Sequence, residues 1–167
     1  YRSRFVNLQR IKNGVSFWNQ HANVLQRANK EYGIPEEIIV AIIGVETSYG
    51  ASTGKHRVID ALTTLAFDFP KRAEFFRSEL VQYLLLAQEQ NFDLLGIKGS
   101  YAGAIGIPQF MPGSYRRFAV DFDSDGKVDL ANSTADAIGS VANYLKEYGW
   151  EMGGPIVVQS SVKADHL

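Results

Sequence analysis

The sequence predicts a mainly helical single domain, and three observations carry the prediction. Apolar residues recur at helical spacing along most of the chain, proline and glycine sit where those stretches would begin and end, and only Pro155 to Val162 reads as a strand. Taken in order, Phe17, Val24, Leu25, Ala28 and Tyr32 predict a helix over 17–32 that stops at Gly33. Pro35 suits a first helical position, and Glu36 and Glu37 suit the positive end of a helix dipole. The run from Ile38 to Val45 is apolar on every face, which predicts a buried central helix. At eight residues it is far short of the ~20 that a membrane span needs. Further helices are predicted over 59–68, from Pro70 to about Gln90, around 109–120, and from Ser133 or Thr134 to Gly149. Gly96, Gly99, Gly103 and Gly106 mark a long irregular loop, and an acidic loop spans 121–129. The chain contains no internal repeat and no low-complexity tract. It opens at Tyr1 instead of Met and closes just after the predicted strand, so residues 1–167 are read as one domain cut from a longer chain, with about 155–167 leading into a missing segment.

Composition excludes several function classes. With 46% hydrophobic and 21% charged residues, the 167-residue chain is neither disordered nor fibrous, and it is long enough to bury a core. Seventeen basic residues against 18 acidic ones leave a net charge of −1, with no excess to hold a polyphosphate, so nucleic acid is not an expected partner. The absence of cysteine excludes disulfides, thiolate nucleophiles and zinc ribbons, and fits the periplasm as well as the cytosol. His21, His56 and His166 are scattered without metal or triad spacing.

The residue that carries chemistry is Glu46, in Gly44-Val45-Glu46-Thr47-Ser48-Tyr49-Gly50. Glutamate is almost never fully buried unless paired, and partial burial raises a carboxyl's pKa toward the range of a general acid. Two readings stand at this point. The carboxyl reaches solvent or a core arginine at the helix end, or it works as an acid in a cleft walled by the small and polar groups of the downstream loop. Glycosidases ordinarily place two carboxylates across the scissile bond. Asp60, Asp68 and Asp93 sit among surface residues, so a lone acid suggests a substrate that supplies its own nucleophile.

The loop from Gly99 to Pro112 lacks the Gly-Lys-Ser/Thr ending of a phosphate cradle, the dinucleotide fingerprint and the Gly-x-Ser-x-Gly elbow. It offers close backbone approach, with Ser100 and Gln109 for hydrogen bonds and Tyr101 and Phe110 for stacking on sugar rings. The same aromatics, and Tyr144 further on, read equally well as core residues. In the acidic loop, Asp121, Asp123 and Asp125 fall at positions 1, 3 and 5 of an EF-hand, Gly126 at 6 and the Lys127 carbonyl at 7. Position 12 is Asn132 instead of glutamate, and Asp136 lies close enough to complete the sphere. Four carboxylates in nine residues repel one another without a cation, and a single such loop suggests one structural Ca2+ and no organic cofactor.

Taken together, these stretches resemble the B-type lytic murein transglycosylases, membrane-bound and soluble. The likeness runs through Tyr1-Arg2 with Phe5, Asn13-Gly14-Val15 with Phe17-Trp18, Gly44-Val45-Glu46-Thr47, Asp60 to Leu65, Arg72-Ala73-Glu74, the Gly99–Tyr115 loop, and Asp136 to Tyr144. The resemblance implies a lysozyme-like core of the α+β superfamily carrying an EF-hand-like calcium loop. It implies cleavage of the β-1,4 bond between N-acetylmuramic acid and N-acetylglucosamine in peptidoglycan without water, leaving 1,6-anhydromuramoyl ends. Glu46 would be the acid and then the base, with the 2-acetamido group assisting, and Ser100 would orient that group or Glu46. Tyr1, Gln109, Phe110, Asn143 and Tyr144 would line the cleft, beside the Tyr101 that the loop itself offers, and Arg72 with Lys71 would meet the anionic peptide stem or the lactyl side of the substrate. The metal ligands would be Asp121, Asp123, Asp125, Lys127 and Asp136, in a segment about one residue longer than the family pattern. The family's chain continues past the position of Leu167 and contributes cleft wall from there. The resemblance further implies a monomer in the periplasm, facing glycan strands, with a lipid anchor at the outer membrane in anchored members. The alternatives are a hydrolytic muramidase of the same fold and a calcium-loaded sugar-binding module without activity.

Overall fold

The computed structural model describes residues 5–157. Helix α1 (Leu8–Gln20) opens with Asn7, whose side chain accepts from the Arg10 N–H, and α2 (Ala22–Tyr32) ends at Gly33. They meet at His21, where the predicted helix over 17–32 is broken. The apolar spacing runs through this point, but α1 packs on α3 (Glu36–Thr47) while α2 packs on α7 (Thr134–Glu147). One straight rod cannot serve both partners. Pro35 sits just ahead of α3, at its N-cap.

Next comes the extended pair β1 (His56–Arg57) and, later, β2 (Lys98–Gly99), antiparallel with His56 opposite Gly99. Helix α4 (Val58–Asp68) folds back along α5 (Ala73–Gln90), with a 3-10 turn at Pro70–Arg72 between them. Helix α6 (Pro112–Phe118) starts on a proline, and α7 is capped by Ser133, whose hydroxyl accepts from the Asp136 N–H at 3.1 Å. Mainly helical is therefore the fold class, as predicted. Of the predicted strand at 155–162, residues 155–157 are irregular and the remainder lies outside the described residues. Among the described residues no helix is long and apolar enough to cross a membrane.

The core gathers Leu25, Ile34, Ile39, Ile43, Leu62 and Ile138, all fully buried. Helix α3 corrects the sequence reading: it is central, yet not buried on every face. Ile39, Val40, Ile43, Gly44 and Thr47 face the core, whereas Ala41 and Val45 are exposed, Val45 to 49%. An apolar run implies burial only where a neighbour covers each face, and the side of α3 that carries Ala41 and Val45 is left open while the adjoining Ile42 borders a cleft. At the other side, the Tyr49 ring fills a slot made by two glycines. A Cβ on Gly44 would lie 2.7 Å from that ring, and one on Gly14 would lie 2.6 Å from its hydroxyl.

A Gly44→Ala substitution should therefore destabilise the fold by about 1–3 kcal/mol, the usual cost of overpacking. Denaturant unfolding checks this, and an unchanged midpoint would mean that Tyr49 is not lodged against α3.

Candidate active site

Glu46 lies in the last turn of α3, one turn beyond Ile42, and both line a cleft of about 250 Å³. Pro108, Gln109, Phe110 and Met111 form one wall, and Val141, Tyr144 and Leu145 of α7 form the other, with Ser114 between them. Glu46 as a whole residue is exposed at the helix end, as one of the two sequence readings had it. Its carboxyl is nonetheless packed closely enough by the cleft walls that desolvation raises its pKa above the ordinary carboxylate value. Among the described residues no other carboxylate lines this cavity. The arrangement places one partly desolvated carboxyl beside aromatic and amide groups.

What fixes Glu46 is its neighbour. Thr47 is 1% exposed; its hydroxyl donates to the Ile107 carbonyl at 2.8 Å and accepts from the Gly50 N–H at 3.0 Å. The helix end is thereby tied to the glycine-rich loop that forms the opposite wall. The loop's close backbone approaches are largely to its own chain. Gly99 bridges Ile105, Ile105 bridges Phe110, and the Ile107 N–H donates to the Leu130 carbonyl at 2.8 Å. Gly106 has φ +76, and a Cβ there would meet the Leu130 oxygen at 2.3 Å, so only glycine fits.

Gln109 is held with φ 54, and its Nε2 donates to the Thr53 carbonyl at 3.0 Å and the Gly106 carbonyl at 2.9 Å. Both amide protons are used, which leaves Oε1 as the group it can offer a ligand. Gln109 also borders a second, more open cavity of about 660 Å³ formed by residues 51–56 with Ser100 and Tyr101. The Ser100 hydroxyl oxygen accepts from the Ala102 and Ala104 N–H groups at 3.2 and 3.0 Å, so its proton remains available to donate. Tyr101, 77% exposed, borders this cavity and a third one along α4.

The other predicted binding residues are placed differently. Phe110 is a buried residue of one wall and Tyr144 a half-buried residue of the other, so both serve core and cleft. Asn143 turns away from the cleft and donates to the Phe118 carbonyl at 2.9 Å, stapling α7 to α6. Arg72 lies over the Phe75 and Phe76 rings at 4.4 and 5.3 Å and does not line the cleft, and Lys71 is an exposed residue of the same turn. Tyr1 lies outside the described residues. Sequence reasoning missed Ile42, Met111, Ser114, Val141 and Leu145 as lining residues. The i, i+4 relation of Ile42 to Glu46 and of Val141 to Leu145 was the available signal.

In the acidic loop, oxygens of Asp121, Asp123 and Asp136 lie within 4.8 Å of one another. Asp136 is 1% exposed; one oxygen accepts from the Phe122 and Asp123 N–H groups and the other from Asp129 N–H at 2.8 Å. Desolvation raises its pKa, against these hydrogen bonds, and the Asp123 charge adds to the rise. Asp123 shifts the opposite way, first because the Ser133 hydroxyl donates to it. The Asp121 carboxylate accepts from the Asp125 and Gly126 N–H groups, which curls the loop inward. Asp125 itself is exposed, lies outside the cluster and accepts from the Lys127 N–H, while Asn132 is bound to Asp129. A hard cation with oxygen ligands fits three converging carboxylates of which one is buried.

A family model described as a transglycosylase SLT domain matches residues 1–167. Membrane-bound lytic murein transglycosylase B of Escherichia coli strain K12 is 50% identical over 167 residues, 100% of this chain and 46% of the relative. Among solved structures, soluble lytic transglycosylase SltB1 from Pseudomonas aeruginosa is 59% identical, with a TM-score of 0.90 over 93% of this chain and 52% of that one. Escherichia coli lytic transglycosylase Slt35 in complex with calcium is 50% identical, with a TM-score of 0.91 over 100% of this chain and 53% of that one. The chain thus spans about half the length of the relatives it matches.

The raised pKa of Glu46 has a stability consequence. Between the unfolded and folded pKa values the folded protein binds the extra proton, so stability falls as pH rises through that window. Glu46→Gln lacks this penalty. It should melt above wild type near neutral pH, and the difference should shrink as pH drops below the ordinary carboxylate range. Thermal unfolding of both proteins across pH checks it; a pH-independent difference, or a less stable variant at neutral pH, would refute it.

Proposed function

This chain belongs to the transglycosylase SLT family, and from that premise we propose that it cleaves the β-1,4 bond between N-acetylmuramic acid and N-acetylglucosamine in peptidoglycan without water. The observation that carries the reading is the single desolvated carboxyl of Glu46 in a cleft that, among the described residues, has no second carboxylate. A hydrolase of the ordinary kind needs that second group as nucleophile or base. In the proposed reaction, Glu46 gives its proton to the glycosidic oxygen as the C1–O bond breaks, and the 2-acetamido group shields the anomeric carbon. The carboxylate then takes the proton of the muramoyl 6-hydroxyl as that oxygen bonds to C1. The 1,6-anhydro ring closes, Glu46 is protonated again, and no water is consumed.

Supporting roles follow from the groups still available. The Ser100 hydroxyl proton suits the acetamido carbonyl, Gln109 Oε1 suits a sugar hydroxyl, and Phe110 and Tyr144 suit ring faces. Arg72 and Asn143 would reach a ligand only outside the cleft described above, and Tyr101 at the far end of the second cavity. We assign one structural Ca2+ to Asp121, Asp123 and Asp136, with Asp125 and the Lys127 carbonyl completing the sphere; the calcium complex of Slt35 supports the choice of ion. The Escherichia coli relative's name, membrane-bound and acting on murein, supports our placing the protein in the periplasm at the murein, with outer-membrane association. We expect a monomer acting on glycan strands.

Mass analysis of purified muropeptides tests the reaction. Wild type should release products one water lighter than hydrolysed fragments, and Glu46→Gln should lose at least about a hundredfold in rate, as expected for a missing general acid. Products carrying the added water would make the chain a muramidase, and sugar binding with no product from either protein would make it a binding module. For the ion, Ca2+ at a hundred times its Kd should add about 3 kcal/mol, several degrees in Tm, relative to chelator-treated protein. A melting curve insensitive to chelator and to added Ca2+ would remove the metal assignment.

A further inference from the structure

Beyond the cleft, the aromatic wall continues outward along α7. The Tyr148 ring lies 4.5 Å from that of Tyr144, tilted by 31°. Tyr144 in turn contacts Phe110 at 5.4 Å, and Phe118 lies edge-on to Tyr144 at 5.2 Å and tilted to Tyr148 at 5.3 Å. The row therefore runs from the lining residue Phe110, through Tyr144 on the α7 wall, to a ring that is 64% exposed. A large aromatic left in water is unremarkable singly. This one is pre-positioned: the Tyr148 N–H donates to the Tyr144 carbonyl at 3.0 Å, and one ring face rests on Tyr144. Ring and backbone are both held, so little freedom remains to be lost on binding. The Arg117 guanidinium, 4.9 Å over Phe118, sets a cationic donor beside the row.

We infer that Tyr148 is a stacking platform for an additional sugar ring of the strand, one helical turn outside the Glu46 cleft. The step from Tyr144 to Tyr148 is about 6 Å along the helix axis, comparable to the length of one sugar ring. The apolar C–H face of such a ring matches an exposed aromatic face, and its hydroxyls and acetamido group lie within the reach of a neighbouring guanidinium. Tyr148 touches no reacting atom in this assignment. It lengthens the bound strand and leaves the chemistry to Glu46.

The inference rests on the glycan reading above, and the experiment separates the two. Kinetics of wild type, Tyr148→Ala and Tyr148→Phe are compared on uncrosslinked strands of two and of four or more disaccharide units. Tyr148→Ala should raise KM about fivefold on the longer strands, leave KM on the shorter ones unchanged, and leave kcat unchanged on both. Tyr148→Phe should behave as wild type, because the face and not the hydroxyl does the binding. Equal KM values for wild type and Tyr148→Ala on long strands would overturn the platform. So would a loss on both lengths with falling kcat, since that would mean Tyr148 only braces Tyr144. Titration of chitooligosaccharides of increasing length into Glu46→Gln, with and without Tyr148→Ala, reads the platform apart from turnover. Length-dependent affinity that needs Tyr148, in a chain yielding no anhydro product, would keep the platform and sink the transglycosylase reading. Anhydro products without that length dependence would do the reverse.

Discussion

Three consecutive residues in the left-handed region, Ser48, Tyr49 and Gly50, follow directly on the helix that carries Glu46 and Thr47. Two of them have side chains, for which that conformation costs about 1–2 kcal/mol each. Such a run persists only where the surroundings over-determine it. Here Arg10 donates to the Gly44 carbonyl at 2.8 Å and to the Ser48 hydroxyl at 3.2 Å, while the Tyr49 hydroxyl returns a hydrogen bond to the Arg10 carbonyl at 3.1 Å. Gly14 and Gly44 leave the space into which the Tyr49 ring fits, and Thr47 holds the far side through Ile107. The result is an abrupt stop to α3, with its last turn clamped from both sides. Glu46 sits in that turn. Its carboxyl is thereby kept in a partly dehydrated position that the same residue on a fraying helix end would escape by moving into water.

The glycine-rich loop completes the site by the same logic of enforced proximity. Its backbone folds on itself through short bridges, which allows a stretch of little regular structure to act as a rigid wall. Gln109 illustrates the outcome. It adopts a positive φ and commits both amide protons to carbonyls of the chain, so its remaining acceptor is presented in a fixed direction between two cavities. Preorganised polar groups of this kind suit a ligand rich in hydroxyls, because no rearrangement is needed when the ligand arrives.

The helices were legible because apolar spacing and proline or glycine punctuation are local signals; α4, α5 and the Ser133 cap of α7 fall where the residues place them. The break at His21 was not, since it follows from which partner each half of the rod packs on, and partner choice leaves no trace in the spacing. Burial of α3 was over-read for a related reason: Ala41 and Val45 are apolar yet face open space. Glu46 stood out as an acid in apolar company, whereas Thr47 did not, because a buried threonine is unremarkable until its hydroxyl is seen to join two distant segments. Asn143 entered through the resemblance and not through its spacing; successive residues on a helix point in different directions, and its side-chain amide donates to the Phe118 carbonyl on α6 while Tyr144 lines the cleft.

Helix α7 links the two halves of the molecule's chemistry. Its first turn holds Asp136, whose carboxylate gathers N–H groups from Phe122, Asp123 and Asp129, while its third and fourth turns hold Val141, Tyr144 and Leu145 in the cleft wall. Eight residues separate Asp136 from Tyr144, about 12 Å along the axis, too far for the acidic loop to touch a ligand beside Tyr144 directly. The loop can act on the cleft only by fixing where α7 lies. Arg27 contributes to that fixing, since its guanidinium stacks 3.9 Å over the Phe122 ring and donates to the Phe122 carbonyl, joining the acidic loop to α2. Gly139 contributes as well, because a Cβ there would lie 2.3 Å from the Phe122 ring. The acidic loop is therefore anchored to α2 and α7 at once, and a cation that neutralised its carboxylates would strengthen the anchor of the cleft wall.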